Sequence, residues 1–114
     1  MENIYHVMGI AAAPTEKAQS LADGLVENRL AACVQVIPSI KSTYWWKGKI
    51  EHEEESLLLI KTEQSKTRGI RDFLKKHHPY EVPEFIILPV TDGNPSFLGW
   101  ISESISGDIQ SNTE

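Results

Sequence analysis

Residues Cys33–Thr62 read CVQVIPSIKSTYWWKGKIEHEEESLLLIKT, two long extended runs on either side of Lys47-Gly48. Val34 and Val36 fall on one side of an extended chain, and Ile40, Ser42, Tyr44 and Trp46 share a side beyond Pro38. Alternation of this kind is the period of a strand. Pro38 has no N–H to give to a ladder, so it predicts a bulge or an edge within one long strand. Lys47-Gly48 supplies the turn, and Ile50–Thr62 returns through the apolar run Leu57–Ile60. Apolar residues on both faces predict a strand end covered on both sides. The preceding Glu51–Glu55 segment is too charged to be buried on this reading. The 14 residues from Cys33 to Trp46 extend roughly 46 Å at about 3.3 Å each. A chain of this length has a radius of gyration near ~13 Å. The hairpin therefore overhangs its domain.

The flanking segments resolve the rest. Ile4–Ala12 is a short apolar run that suits a buried first strand. Pro14 stands at a helix start with Glu16 in the first turn, and Ala18, Leu21, Ala22, Leu25 and Val26 form one apolar stripe reaching about Asn28. Gly24 inside it costs about 1 kcal/mol of helix propensity. Ser65 is placed to cap a second helix with the stripe Ile70, Phe73, Leu74 and His77. Pro79 disfavours helical geometry at His78, which ends that helix. Pro83 precedes a fourth strand, Phe85–Val90. Asn94 and Pro95 then cap and open a last helix carrying Phe97, Leu98, Trp100, Ile101 and Ile105. The order β-α-β-β-α-β plus a terminal helix predicts an α+β, ferredoxin-like split βαβ sandwich with a long β-hairpin. Residues 1–106 form a single domain, and the polar stretch Gly107–Glu114 is expected to be a loose tail.

Helices on one side of a four-stranded sheet leave the other side bare, although its strands are apolar on both faces. The overhanging aromatic hairpin adds a second surface that calls for cover. Together they predict a homo-oligomer closed into a ring.

Composition narrows the function. The 114 residues carry 11 basic and 16 acidic side chains, a net charge of −5. Nucleic-acid binding needs basic surface to displace counterions, so no nucleic-acid partner is expected. Cys33 has no second cysteine to pair with, which suits the reducing cytosol. No apolar run approaches the ~20 residues of a membrane span. The stretch before Val7–Ala13 holds Glu2 and no basic leader. The expectation is a cytoplasmic protein without a membrane partner.

His77-His78 is the one adjacent pair of metal-ligating type. Imidazole suits copper, zinc and nickel. Neighbours on a helix point about 100° apart, but the Pro79 break frees His78 to swing towards His77. The alternative is structural, with His77 ending the apolar stripe and His78 capping the last carbonyls. Cys33 sits in apolar company (Leu30–Val34) and reads as packing rather than as a nucleophile. The acidic run Glu51–Glu55 lacks calcium-loop spacing and reads as a solvated hairpin edge. Tyr44–Trp46 could stack on a planar ligand or meet another subunit. Nucleophile-elbow, phosphate-loop and dinucleotide motifs are missing, so no enzyme is expected.

Several segments resemble the CutA divalent-cation-tolerance family. They are Leu30–Cys33, Tyr44–Ile50 (YWWKGKI), Leu59–Thr62, His77–Glu84 (HHPYEVPE) and Leu88–Val90 through Asn94-Pro95. The resemblance covers Ile4 to Ser104. It implies a ferredoxin-like fold assembled as a tight homotrimer, similar in build to nitrogen-regulatory PII proteins. It also implies a role in tolerance to divalent metal ions, copper especially, with His77 and His78 as the metal site. Some members add a cysteine on the first strand, and Met8–Ala13 has none. The expected site is therefore an open one, completed by water or by a carboxylate such as Glu81 or Glu84. The alternatives are a PII-like signalling trimer that takes a small metabolite in its inter-subunit clefts, or a structural trimer that anchors a partner.

Overall fold

The computed structural model describes residues 5–107. Seven elements follow in order: β1 (His6–Ala13), α1 (Thr15–Glu27), β2 (Cys33–Trp46), β3 (Lys49–Glu63), α2 (Thr67–His77), β4 (Phe85–Pro89) and α3 (Pro95–Ser106). The strands form one sheet in the order β2-β3-β1-β4, antiparallel throughout. This is the ferredoxin-like topology that the element order predicts.

The register sorts the side chains. Val7, Ala11 and Ala13 of β1 stand opposite Thr62, Leu58 and Ser56 of β3. Val34 and Val36 of β2 stand opposite Ile60 and Leu58. These residues make the face that α1 and α2 cover, and the core there is Leu21 and Leu25 of α1 with Ile70 and Leu74 of α2 against Leu58 and Ile60. Small residues set the spacing of the layers. A Cβ on Gly24 would lie 2.5 Å from the Phe73 ring, so α1 and α2 meet closely there.

The predicted punctuation holds at most positions. The ladder between β2 and β3 shifts register between Ile37 and Ile40, on either side of Pro38. Lys47 and Gly48 both take positive φ, 51° and 82°, the geometry of a tight hairpin turn. α2 ends at His77, with His78 extended at φ −77° and ψ 138°. Asn94 accepts a hydrogen bond from the Ser96 N–H at 3.1 Å, and Pro95 opens α3.

Four expectations are corrected. Ser65 is no helix cap, because residues Gln64–Lys66 form a short 3₁₀ turn and α2 starts at Thr67 without a side-chain cap. Glu55 is only 5% exposed, despite its acidic surroundings, because Ser42 of β2 and Tyr80 of the 79–84 loop supply it with donors. Cys33 is half-buried and pairs with Lys61. It lies on the face turned away from the core, because it alternates with Val34. The fourth strand stops at Pro89. Ile4 and residues 108–114 of the expected tail lie outside the described residues, and Gly107, at φ 81°, closes α3.

The second face carries Met8, Ile10, Ile37, Leu57, Leu59, Ile86 and Leu88, placed together by the same register. Ile37, Ile86 and Leu88 are 41%, 52% and 41% exposed. α3 reaches one end of this face, where His6 Nε2 lies 3.0 Å from Ser102 Oγ. The β2–β3 hairpin projects past β1, and the molecule measures 51 × 35 × 23 Å with a radius of gyration of 15.3 Å.

Candidate functional site

β1 ends at Ala13, opposite Ser56, while β2 and β3 run on beyond it. The overhanging ribbon therefore has a free face, and the segment 79–84 between α2 and β4 lies beside it. Ser42 pairs with Glu53, Tyr44 with Glu51 and Trp46 with Lys49, so this alternate set shares one side of the ribbon. Between ribbon and segment is a cleft of about 850 Å³, lined by Tyr44, Trp46, Tyr80, Glu53, Glu55 and Glu84 among others.

Glu55 holds the two sides of the cleft together. Ser42 Oγ donates to its Oε1 at 2.7 Å, and the Tyr80 hydroxyl donates to its Oε2 at 2.7 Å. Each carboxylate oxygen thus has a donor, which a buried carboxylate requires. Burial raises the pKa of Tyr80, and the hydrogen bond to Glu55 and the charge of Glu55 push it further up. Tyr44 is raised as well, first by desolvation and then by the charges of Glu53, Glu55 and Glu51. Both phenols stay protonated at neutral pH.

The two histidines are parted by the end of α2. His78 is 7% exposed. Its Nε2 lies 2.8 Å from the Ala12 carbonyl oxygen, and its Nδ1 accepts from the Tyr80 N–H at 3.1 Å. A carbonyl can only accept and an N–H can only donate, so the proton sits on Nε2. His78 thereby ties the 79–84 segment to the end of β1 and sets Tyr80 opposite Glu55. His77 is exposed and packs its ring against Phe73 at 4.5 Å between centroids. The structure therefore gives the pair two environments, one imidazole open to solvent and one with both nitrogens engaged. Among the described residues no three His, Cys, Asp or Glu side chains gather as a metal ion would need.

Sequence reading singled out the histidine pair and the aromatic ribbon but missed Glu55 and Tyr80. The available signal was the alternation of Ser42, Tyr44 and Trp46 opposite an equally alternating Glu51, Glu53 and Glu55. That pattern marks one polar, aromatic side rather than a uniformly solvated edge.

Comparison with known proteins places the chain in a family. Residues 6–104 match the family model described as CutA1 divalent ion tolerance protein. The human protein CutA is 50% identical over 100 residues, covering 84% of this chain and 56% of that protein. The Escherichia coli divalent-cation tolerance protein CutA is 40% identical over 104 residues, covering 90% of this chain and 93% of that one. The solved structure of the periplasmic divalent cation tolerance protein CutA from Archaeoglobus fulgidus matches with a TM-score of 0.86 at 38% identity, covering 89% of this chain and 99% of that chain. The chain spans 58%, 55% and 56% of the length of the frog, mouse and human relatives.

Proposed function

Because this chain belongs to the CutA1 divalent ion tolerance family, we propose that it is a cytoplasmic homotrimer that binds divalent metal ions, copper foremost, without catalysing a reaction. The observation that carries the metal reading is His77, an exposed imidazole at the end of α2 with Glu81 and Glu84 following it in the next segment. Imidazole with carboxylate and water is a donor set that copper(II) accepts. No group of three such donors gathers among the described residues, so the fit is to an open, weak site rather than a closed one. His78 would join only if the Tyr80 N–H left its Nδ1, which makes His77 the leading ligand of the pair.

Assembly is supported by the bare second face. Ile37, Ile86 and Leu88 expose apolar surface beside Met8, Ile10, Leu57 and Leu59. A stable monomer rarely leaves such a patch open. A second copy offers the same chemistry, and the projecting hairpin gives each copy an arm to lay against its neighbour.

Calorimetric titration with copper(II) at neutral pH tests the metal reading, since a protonated imidazole does not ligate. Wild type should take up about one ion per subunit, with His77→Ala binding at least ~10-fold more weakly. Equal binding by wild type, His77→Ala and the His77→Ala/His78→Ala variant refutes it. A second reading, a small ligand held by each subunit, is favoured by the cleft beneath the hairpin.

A further inference from the structure

We propose that the cleft between the hairpin and the 79–84 segment binds a small organic cation, an alkylammonium or guanidinium compound of polyamine size. The proposal gives a ligand class to the second reading above, and it needs no metal held by His77 or His78.

The cleft's volume of about 850 Å³ falls in the range of small-molecule sites, ~300–1,000 Å³. Its walls combine two kinds of group. Tyr44, Trp46 and Tyr80 present aromatic rings, and Glu53, Glu55, Glu81 and Glu84 present carboxylates. Aromatic faces carry negative charge density and attract cations, most strongly where water is thinned out. Carboxylates in the same concavity add to that field, and low-dielectric walls concentrate it. The molecule already makes this contact on a small scale, since the Lys47 ammonium stands 5.6 Å above the Trp46 ring. Among the described residues Lys47 is also the only basic side chain lining the cleft.

The charge state reinforces the choice of ligand. Tyr44 and Tyr80 both have raised pKa values, so they contribute neutral rings and hydroxyls, while the glutamates contribute the charge. Glu55, although buried, uses one lone pair of each oxygen for Ser42 and Tyr80, and carboxylate oxygens accept more than one bond each. An anionic ligand would meet four carboxylates. An inorganic divalent ion would leave the aromatic walls unused and find no convergent trio of donors among the described residues. An organic cation uses both halves of the lining, its methylene stem along the rings and its charged ends at the glutamates.

The probe is spermidine, titrated into the intact chain at fixed ionic strength and read by intrinsic tryptophan fluorescence. The expected result is a saturable change whose affinity falls at least ~10-fold in Glu53→Gln/Glu81→Gln and in Trp46→Ala. Glu53 and Glu81 are exposed, so the double glutamine variant retains its fold, and far-UV circular dichroism checks Trp46→Ala. Three results overturn the proposal: equal affinity in wild type and the glutamine variant, the same titration curve with magnesium chloride at matched charge, or no response because a second copy fills the cleft. The metal reading fails separately. His77→Ala should bind spermidine as wild type does, and a wild type that binds copper(II) but not spermidine would refute only the cation site.

Discussion

Tyr80→Phe removes a single oxygen and leaves the ring, which packs 4.8 Å from the His78 ring, in place. The lost hydroxyl donates at 2.7 Å to Oε2 of Glu55, a side chain 5% exposed. A hydrogen bond to a charged group contributes ~1.5–3 kcal/mol. Tyr80 is half-buried and the cleft opens to solvent, so water replaces part of what is lost, and the lower end applies. The expected destabilisation is about 1.5 kcal/mol, equivalent to a fall of about 6 °C in Tm for a domain of this size. Thermal unfolding at one fixed protein concentration measures it, because the proposed assembly would make Tm depend on concentration. pH supplies an independent check. The pKa of Tyr80 is raised in the folded protein, so the folded form keeps a proton that the unfolded chain gives up. The resulting stability is complete below the unfolded value of about 10 and is lost as pH rises beyond it. The gap between wild type and Tyr80→Phe should therefore narrow in alkaline solution. Equal Tm values at neutral pH, with parallel alkaline profiles, would refute the view that this bond fastens the 79–84 segment to the hairpin.

Two further predictions concern packing. Gly24→Ala should destabilise the protein by about 1 kcal/mol although alanine is the better helix former, because the new Cβ would stand 2.5 Å from Phe73 and overpacking outweighs ~1 kcal/mol of propensity. Denaturant unfolding of Gly24→Ala beside Gly24→Ala/Phe73→Leu tests this, with recovery expected in the double variant. Ile86→Asp/Leu88→Asp places two charges on the bare face without touching the core, so light scattering should find the proposed assembly in wild type and monomers in the variant. An unchanged mass would show that this face is not the contact.

Much of the architecture was legible in residue order because it depends on neighbours along the chain. The alternation around Pro38, the positive-φ turn at Lys47-Gly48 and the break at His78-Pro79 each state a local backbone requirement. The apolar pattern of β3 also revealed a sheet with two faces to cover. At Gly24 the same kind of reasoning saw only a propensity cost, since the Phe73 ring that fills its space comes from another helix.

The site divides along the same line. The sequence by itself determined the strands, the order of elements, the overhanging hairpin and the adjacency of His77 and His78. Tertiary structure alone decided that Glu55 is buried, that His78 spends both ring nitrogens on Ala12 and Tyr80, and that a cleft lies under the ribbon. The reason is that burial and hydrogen bonding depend on which distant segment arrives beside a residue. Glu55 has acidic neighbours in sequence, but its partners are Ser42 across the ladder and Tyr80 from beyond the next helix.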